Sequence, residues 1–291
     1  MYDLNAPLWG ALAALGWGIA DFLARYASRA VGAPRSLLGM LVVSAIALTL
    51  LVSALELNWI ISFWSGLSAA ASGLGIAAAT LILYWALARG PVSVVAPVCA
   101  SYPAFNLLFE TIAGGRPTPL QWAAAGSIFA GVVCVARASK SFAENPQYSR
   151  DSLRLTIGSC VLVAFVFALS FVGLKYAAQH MGGLQAVVIG RWIGVAAIVI
   201  YLLTNRKFTF ESFPLSWWPV IAVVGLLDIG AYIALTTGIQ LPDGVFTVVV
   251  ASTFSVITVL LARFILRESM TMFQWSGIAL VVAGAVVLSA F

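Results

Sequence analysis

The sequence predicts an all-α polytopic membrane protein of ten transmembrane helices, built as two inverted five-helix repeats (5+5). Three observations predict it. Of 291 residues, 62% are hydrophobic and 9% charged, against about 25% charged in a soluble domain. Long apolar runs recur at the roughly 20 residues that a helix needs to cross a bilayer. The features of the first five runs return, in the same order, in the second five.

Each run is bounded by polar or Gly/Pro punctuation. The first span, Ala6 to Ala24, begins almost at Met1 with neither a basic leader nor a cleavage signal, so it reads as a retained helix. Trp17, Asp21 and Arg25 form a stripe along it at a spacing of four. An Asp21 to Arg25 pair near the surface accounts for the charges there, which leaves Trp17, one turn deeper, as a site candidate. The second span, Ser36 to Leu55, carries Met40. The third, Phe63 to Leu87, places Thr80, Tyr84 and Ala88 on one face, and its Gly73 and Gly75 allow close helix approach. The fourth, Val92 to Ile112, follows Pro91 and contains Pro97 and Pro103. Each internal proline removes a backbone bond and bends the axis, and Tyr102 and Asn106 share a face beside that bend, with Glu110 reaching towards the interface. The fifth, Leu120 to Val135, is rich in small residues, including Gly126 and Gly131.

The most polar stretch follows, residues 137–154, with Lys140, Glu144, Asn145, Pro146, Gln147, Ser149 and Asp151. It reads as a linker between a first repeat, 1–136, and a second, 155–291.

The sixth span, Leu155 to Leu174, sets Phe167 opposite Trp17 in the repeat. The seventh, Leu184 to Leu203, holds Arg191, and the eighth, Trp217 to Leu235, holds Asp228 with Tyr232 and Thr236 on the same face. The ninth, Val245 to Leu266, lacks an internal proline and offers Ser252, Thr253 and Ser255. Those hydroxyls either contact a solute or bond back to their own helix. The tenth is Phe273 to Leu288, with Gly277 and Gly284.

Four matches tie the halves together. Arg25-Tyr26-Ala27 corresponds to Lys175-Tyr176-Ala177, and the segment from Tyr84 to Gly90 to that from Tyr232 to Gly238. Ala100-Ser101 corresponds to Ala251-Ser252, and Gln121-Trp122 with Ala130-Gly131 to Gln274-Trp275 with Ala283-Gly284. An odd number of spans per repeat inverts the second repeat, and inverted repeats are the architecture of alternating-access carriers with a site near the midplane.

Trp17-Gly18, Gly190-Arg191, and Arg267-Glu268 followed by Gln274-Trp275 and Ala283-Gly284 lie on this plan in an order that resembles the EamA-type drug/metabolite transporter (DMT) superfamily across nearly the whole chain. The resemblance implies a solute carrier, often an exporter of amino acids or related metabolites, and within the superfamily points to the YddG-like amino acid exporters. Met40 stands in the place of Arg191, and Gly115 in that of Glu268, so these charged marks survive only in the second half.

Ionisable groups inside a bilayer are costly and mark function. The expected substrate site is walled by Trp17, Tyr84, Tyr102, Phe167 and Tyr232, with polar contacts from Asn106, Asp228 and Ser252. Asp21, Arg191 and Asp228 are the groups for a proton or an ion pair, Arg191 with Asp228 in particular. The leading reading is a secondary transporter exporting small metabolites, most of all amino acids; the alternatives are a channel or facilitative pore and a noncatalytic membrane subunit.

Other chemistries fit poorly. The net charge of +5 comes from loop residues, so no nucleic acid is expected. Cys99, Cys134 and Cys160 lie apart in apolar segments and lack metal-ligand spacing. The lone histidine, His180, is expected in a loop, and no metalloprotease, triad or P-loop motif is present. The chain therefore reads as a non-enzyme without metal or cofactor, its partners a small-molecule substrate and the lipid bilayer. A monomer is expected, with a homodimer face on spans five and ten as the alternative; the location is an integral membrane, the inner membrane in a bacterium.

Loop charges set orientation. Twelve of the basic residues sit on the odd-numbered loops, among them Arg29, Arg35, Arg89, Lys140, Arg206 and Arg267, and only Arg116 and Lys175 on the even ones. The count places both termini outside, whereas the resemblance implies cytoplasmic termini. A cysteine introduced between Lys140 and Arg150 should resist an impermeant thiol reagent added to intact cells and react after permeabilisation; labelling from outside would overturn the termini-out orientation.

Overall fold

The computed structural model describes residues 5–138, 150–205 and 215–290. Residues 139–149, most of the predicted linker, lie outside that range. The first half contains α1 (Ala6–Val31), α2 (Ala33–Ala54), α3 (Phe63–Arg89), α4 (Val92–Cys99), α5 (Tyr102–Ile112) and α6 (Pro119–Ala138). The second contains α7 (Arg150–Met181), α8 (Gly183–Thr204), a 3₁₀ turn (Leu215–Trp217), α9 (Trp218–Ile239), α10 (Gly244–Ala251), α11 (Phe254–Phe264) and α12 (Met272–Ser289). Because α4 with α5, and α10 with α11, each cross as one interrupted span, these helices make ten spans of membrane-crossing length and composition.

The repeat is visible in the backbone. α1 and α7 both stop at a glycine in the left-handed region, Gly32 (φ 86°) and Gly182 (φ 97°), where a side chain would be strained. α6 and α12 both begin with a Thr-x-x-Gln box. Thr118 N–H donates to Gln121 Oε1 at 2.8 Å, and Thr271 N–H to Gln274 Oε1 at the same distance.

Two boundaries differ from expectation. α1 and α7 continue about two turns past the predicted ends at Ala24 and Leu174, because Arg25, Lys175 and His180 interrupt the apolar run without breaking the helix, and glycine is the first real stop. His180 therefore lies in the last turn of α7 rather than in a loop. At its other end α7 begins at Arg150, inside the predicted linker.

The ninth span also differs. Prolines account for the break between α4 and α5, but α10 and α11 part at Ser252 and Thr253 with no proline inside the span. Hydroxyls bond back at both breaks: Ser101 Oγ donates to the Val98 carbonyl, Ser252 Oγ to Val249 and Thr253 Oγ1 to Val250, each at 2.7 Å. The Val98 and Val250 carbonyls also accept the N–H groups of Ser101 and Thr253, at 3.2 and 3.1 Å, so the hydroxyls satisfy themselves on carbonyls of the same turn, as hydroxyls in hydrocarbon must.

Small residues decide the packing, as expected where lipid competes on equal terms for apolar side chains. A Cβ on Gly73 would collide with the backbone of Gly190, so α3 and α8 cross in near contact. On the periphery α6 packs along α12: a Cβ on Gly131 would strike the Gly277 carbonyl at 2.5 Å, and one on Gly284 the Ala124 carbonyl at 2.5 Å. Gly131, Gly277 and Gly284 thus serve contact within the chain, whereas Gly126 faces outward. Large apolar side chains such as Leu50 and Ile112, 66% and 83% exposed, face outward where lipid would be the solvent.

Gly73→Val should lower the thermal midpoint of the purified protein in detergent by an amount equivalent to about 1–3 kcal/mol or more. Gly126→Ala, which adds a methyl group into open space within α6, should leave the midpoint unlowered or raise it by the equivalent of up to about 1 kcal/mol.

Candidate functional site

Charged groups within the spans converge. α8 and α9 bring Arg191 and Asp228 together, with Nη2 to Oδ2 at 2.5 Å. Their side chains are only 12% and 17% exposed, so each charge is partnered where water is scarce. From α1, Trp17 lines the same cavity as Asp228. Asp21, one turn further along α1, is close enough to act electrostatically on Asp228. No hydrogen bond or ion pair joins Asp21 to another described residue.

These groups line a cavity of about 180 Å³ between the repeats, formed by spans one to four and six to nine. Aromatic rings make its walls. Trp17 meets Phe254 edge-on at 6.2 Å, Tyr102 meets Phe171 edge-on at 5.1 Å, and Phe171 stacks on Phe167 at 5.8 Å. Tyr84 and Tyr232, on the facing sides of α3 and α9, complete the ring of aromatics. Thr80 also faces the cavity, and its hydroxyl is already committed to the Ile76 carbonyl at 2.7 Å.

Of the residues singled out from sequence, the cavity brings together Trp17, Asp21, Tyr84, Tyr102, Phe167, Arg191, Asp228 and Tyr232. Asn106 and Ser252 do not line it. Asn106 is carried past the cavity by the break between α4 and α5, and its Oδ1 is buried without a hydrogen-bond partner. Ser252 bonds back to its own helix. Glu110 is exposed at the far end of α5. Phe171 and Phe254 were missed; Phe171 follows Phe167 by four residues, a helical spacing that could have found it.

The cavity has one sealed end. Ten antiparallel spans place the start of α1 and the end of α12 on one face, the terminal side, and the end of α6 and the start of α7 on the other, the linker side. On the linker side Arg25, 4% exposed, leaves the surface and donates Nη1 to the carbonyls of Leu87 at 2.8 Å and Gly90 at 2.5 Å. Arg29 Nε donates to the Ala88 carbonyl at 2.8 Å. Cations thus cover the C-terminal end of α3, where helix carbonyls lack partners.

Glu268 performs the opposite service. It accepts from Val92 N–H (2.9 Å), Ser93 N–H (3.0 Å) and Ser93 Oγ (2.6 Å), capping α4 with a carboxylate from the end of α11. Arg267 takes the left-handed φ of 55° that turns the chain back to aim it; the corresponding residue in the first repeat is Gly114, φ 96°. Sequence reading saw Glu268 only as a family mark, because the helix it caps lies 176 residues away.

These seals are one-sided. Contacts of α1 with α3 and of α4 with α11 close the linker side, whereas the repeat-related pairs, α7 with α9 and α5 with α10, make no comparable packing.

Comparison with known proteins follows this geometry. Residues 4–137 and 154–290 each match the EamA-like transporter family. No curated protein matches the chain. One solved crystal structure superposes with a TM-score of 0.66, covering 97% of this chain and 95% of its own at 19% identity. At that identity the likeness establishes the fold alone.

Arg191→Leu should destabilise the protein by about 3–5 kcal/mol, because Asp228 is left as an unpartnered charge. Arg191→Leu with Asp228→Asn should recover part of that loss in thermal unfolding; an equal or larger loss in the double variant would show that the pair does not carry the stability.

Proposed function

The chain belongs to the EamA-like transporter family, and on that premise we propose that it is an alternating-access carrier that exports amino acids, those with apolar or aromatic side chains foremost. The observation that carries this reading is the donor set of the cavity: one guanidinium and two carboxylates under an aromatic wall. A zwitterion suits that set. Its carboxylate takes the fork of Arg191, its ammonium takes Asp21 and shares Asp228, and its side chain lies against Phe167, Phe171 and Tyr102.

Size supports the same class. A cavity of about 180 Å³ is below the about 300–1,000 Å³ of pockets for drug-sized ligands, and fits a single amino acid better than a peptide. The sealed linker side supports a carrier over a continuous pore. With no P-loop in the sequence, the driving force is the solute gradient or a proton. In a bacterium the site of action would be the inner membrane.

Proteoliposomes loaded with unlabelled phenylalanine should accumulate labelled phenylalanine by exchange. Asp228→Asn should cut that exchange by about tenfold or more, since charge-assisted bonds of about 1.5–3 kcal/mol each are lost, while the protein stays folded. Absence of trans-stimulation across a panel of amino acids would overturn the reading.

A further inference from the structure

We propose that Lys175 is the latch of the opposite closed state: when the terminal side seals, its ammonium binds carbonyls at the C-terminal end of α9. The proposal rests on the alternating-access reading and adds the residue that holds its unseen state.

The seal present in this structure supplies the template. Arg25 near the end of α1 binds the Leu87 and Gly90 carbonyls at the end of α3. In the repeat, Arg25-Tyr26-Ala27 becomes Lys175-Tyr176-Ala177 and the segment Tyr84 to Gly90 becomes Tyr232 to Gly238, so the end of α3 maps to the end of α9, which is capped two residues later, at Gln240. The register of α1 on α7 is backed by geometry. Gly32 and Gly182, each seven residues beyond its basic residue, are both left-handed, and Ala27 and Ala177 are both fully buried.

Lys175 is idle at present. Its side chain is exposed, and no hydrogen bond or ion pair joins it to another described residue. Its neighbour Leu174 lines the cavity, so α7 stands at the open edge that must move. The pair it would close, α7 with α9, is the repeat equivalent of α1 with α3 and lacks that packing here. A cation at the C-terminal end of α9 is also where the helix dipole favours one.

The two latches are unequal. Arginine presents a rigid fork of donors that serves two carbonyls at once, whereas lysine offers a flexible point charge. The first repeat has Gly115 where the second has Glu268, so the terminal-side seal also lacks an acidic helix cap of that origin. Both differences favour the state seen here, with the linker side sealed.

The test reads the opening of the linker side directly. Val95 is fully buried in the cluster that joins α4 to α11, so Val95→Cys should react with a water-soluble thiol reagent only when that seal parts. Labelling at this position is followed by peptide mass spectrometry on folded protein in detergent, where both faces are accessible. Lys175→Ala should slow the labelling by about tenfold, the worth of one charge-assisted bond, and Lys175→Arg should match or exceed the parent. Glu268→Gln, which weakens the present seal, should speed it. If Glu268→Gln speeds labelling and both Lys175 variants leave it unchanged, the latch is overturned and alternating access stands. If none of the three moves it, both readings fall.

Discussion

Hydrocarbon offers no hydrogen bonds, and that constraint governs the molecule at every scale. It makes helices the only economical way for this backbone to cross. It returns the hydroxyls of Thr80, Ser101, Ser252 and Thr253 to nearby carbonyls. It also dictates the fate of each charge: Asp228 takes Arg191, the α4 amides take Glu268, and the α3 carbonyls take Arg25. A soluble protein could leave any of these to water.

Under this constraint, polar bonds join helix ends to one another. The seal on the linker side consists of cations on the end of one helix and a carboxylate on the start of another, and both kinds of bond can be exchanged for water. The breaks between α4 and α5 and between α10 and α11 lie beside the cavity, where half-spans have room to shift. By contrast, contacts such as Gly73 on Gly190 and Gly131 on Gly277 involve backbone against backbone, and interfaces of that kind resist deformation. α3 takes part in both kinds of contact, crossing α8 rigidly at Gly73 and offering its end carbonyls to Arg25.

The repeat symmetry is close in the backbone and broken in the side chains. Gly32 and Gly182, or the boxes at Thr118 and Thr271, preserve the shared geometry. Arg25 against Lys175, Arg191 against Met40 and Glu268 against Gly115 do not. Local geometry must be kept in both halves for ten spans to pack, while a site between the halves needs each charge only once.

Much of this was legible in the sequence, since hydropathy, spacing and duplication are local properties of the chain. The spans, the inversion, and the facing aromatic and acidic residues Trp17, Tyr84, Phe167, Asp228 and Tyr232 all follow from residue order. Helix ends were less legible, because Arg25 and Lys175 look like boundaries to a hydropathy reading although a helix continues through them. The break in the ninth span had no proline to announce it. Asn106 and Ser252 share apparent faces with cavity residues, and only the real path of a broken helix carries them away. Glu268 needed the whole fold: its three bonds reach residues 175 and 176 positions distant. Sequence determined which segments cross and which groups are too polar to be left in lipid. Tertiary structure alone decided which distant partner satisfies each of them, because that choice depends on helix ends brought together in space rather than along the chain.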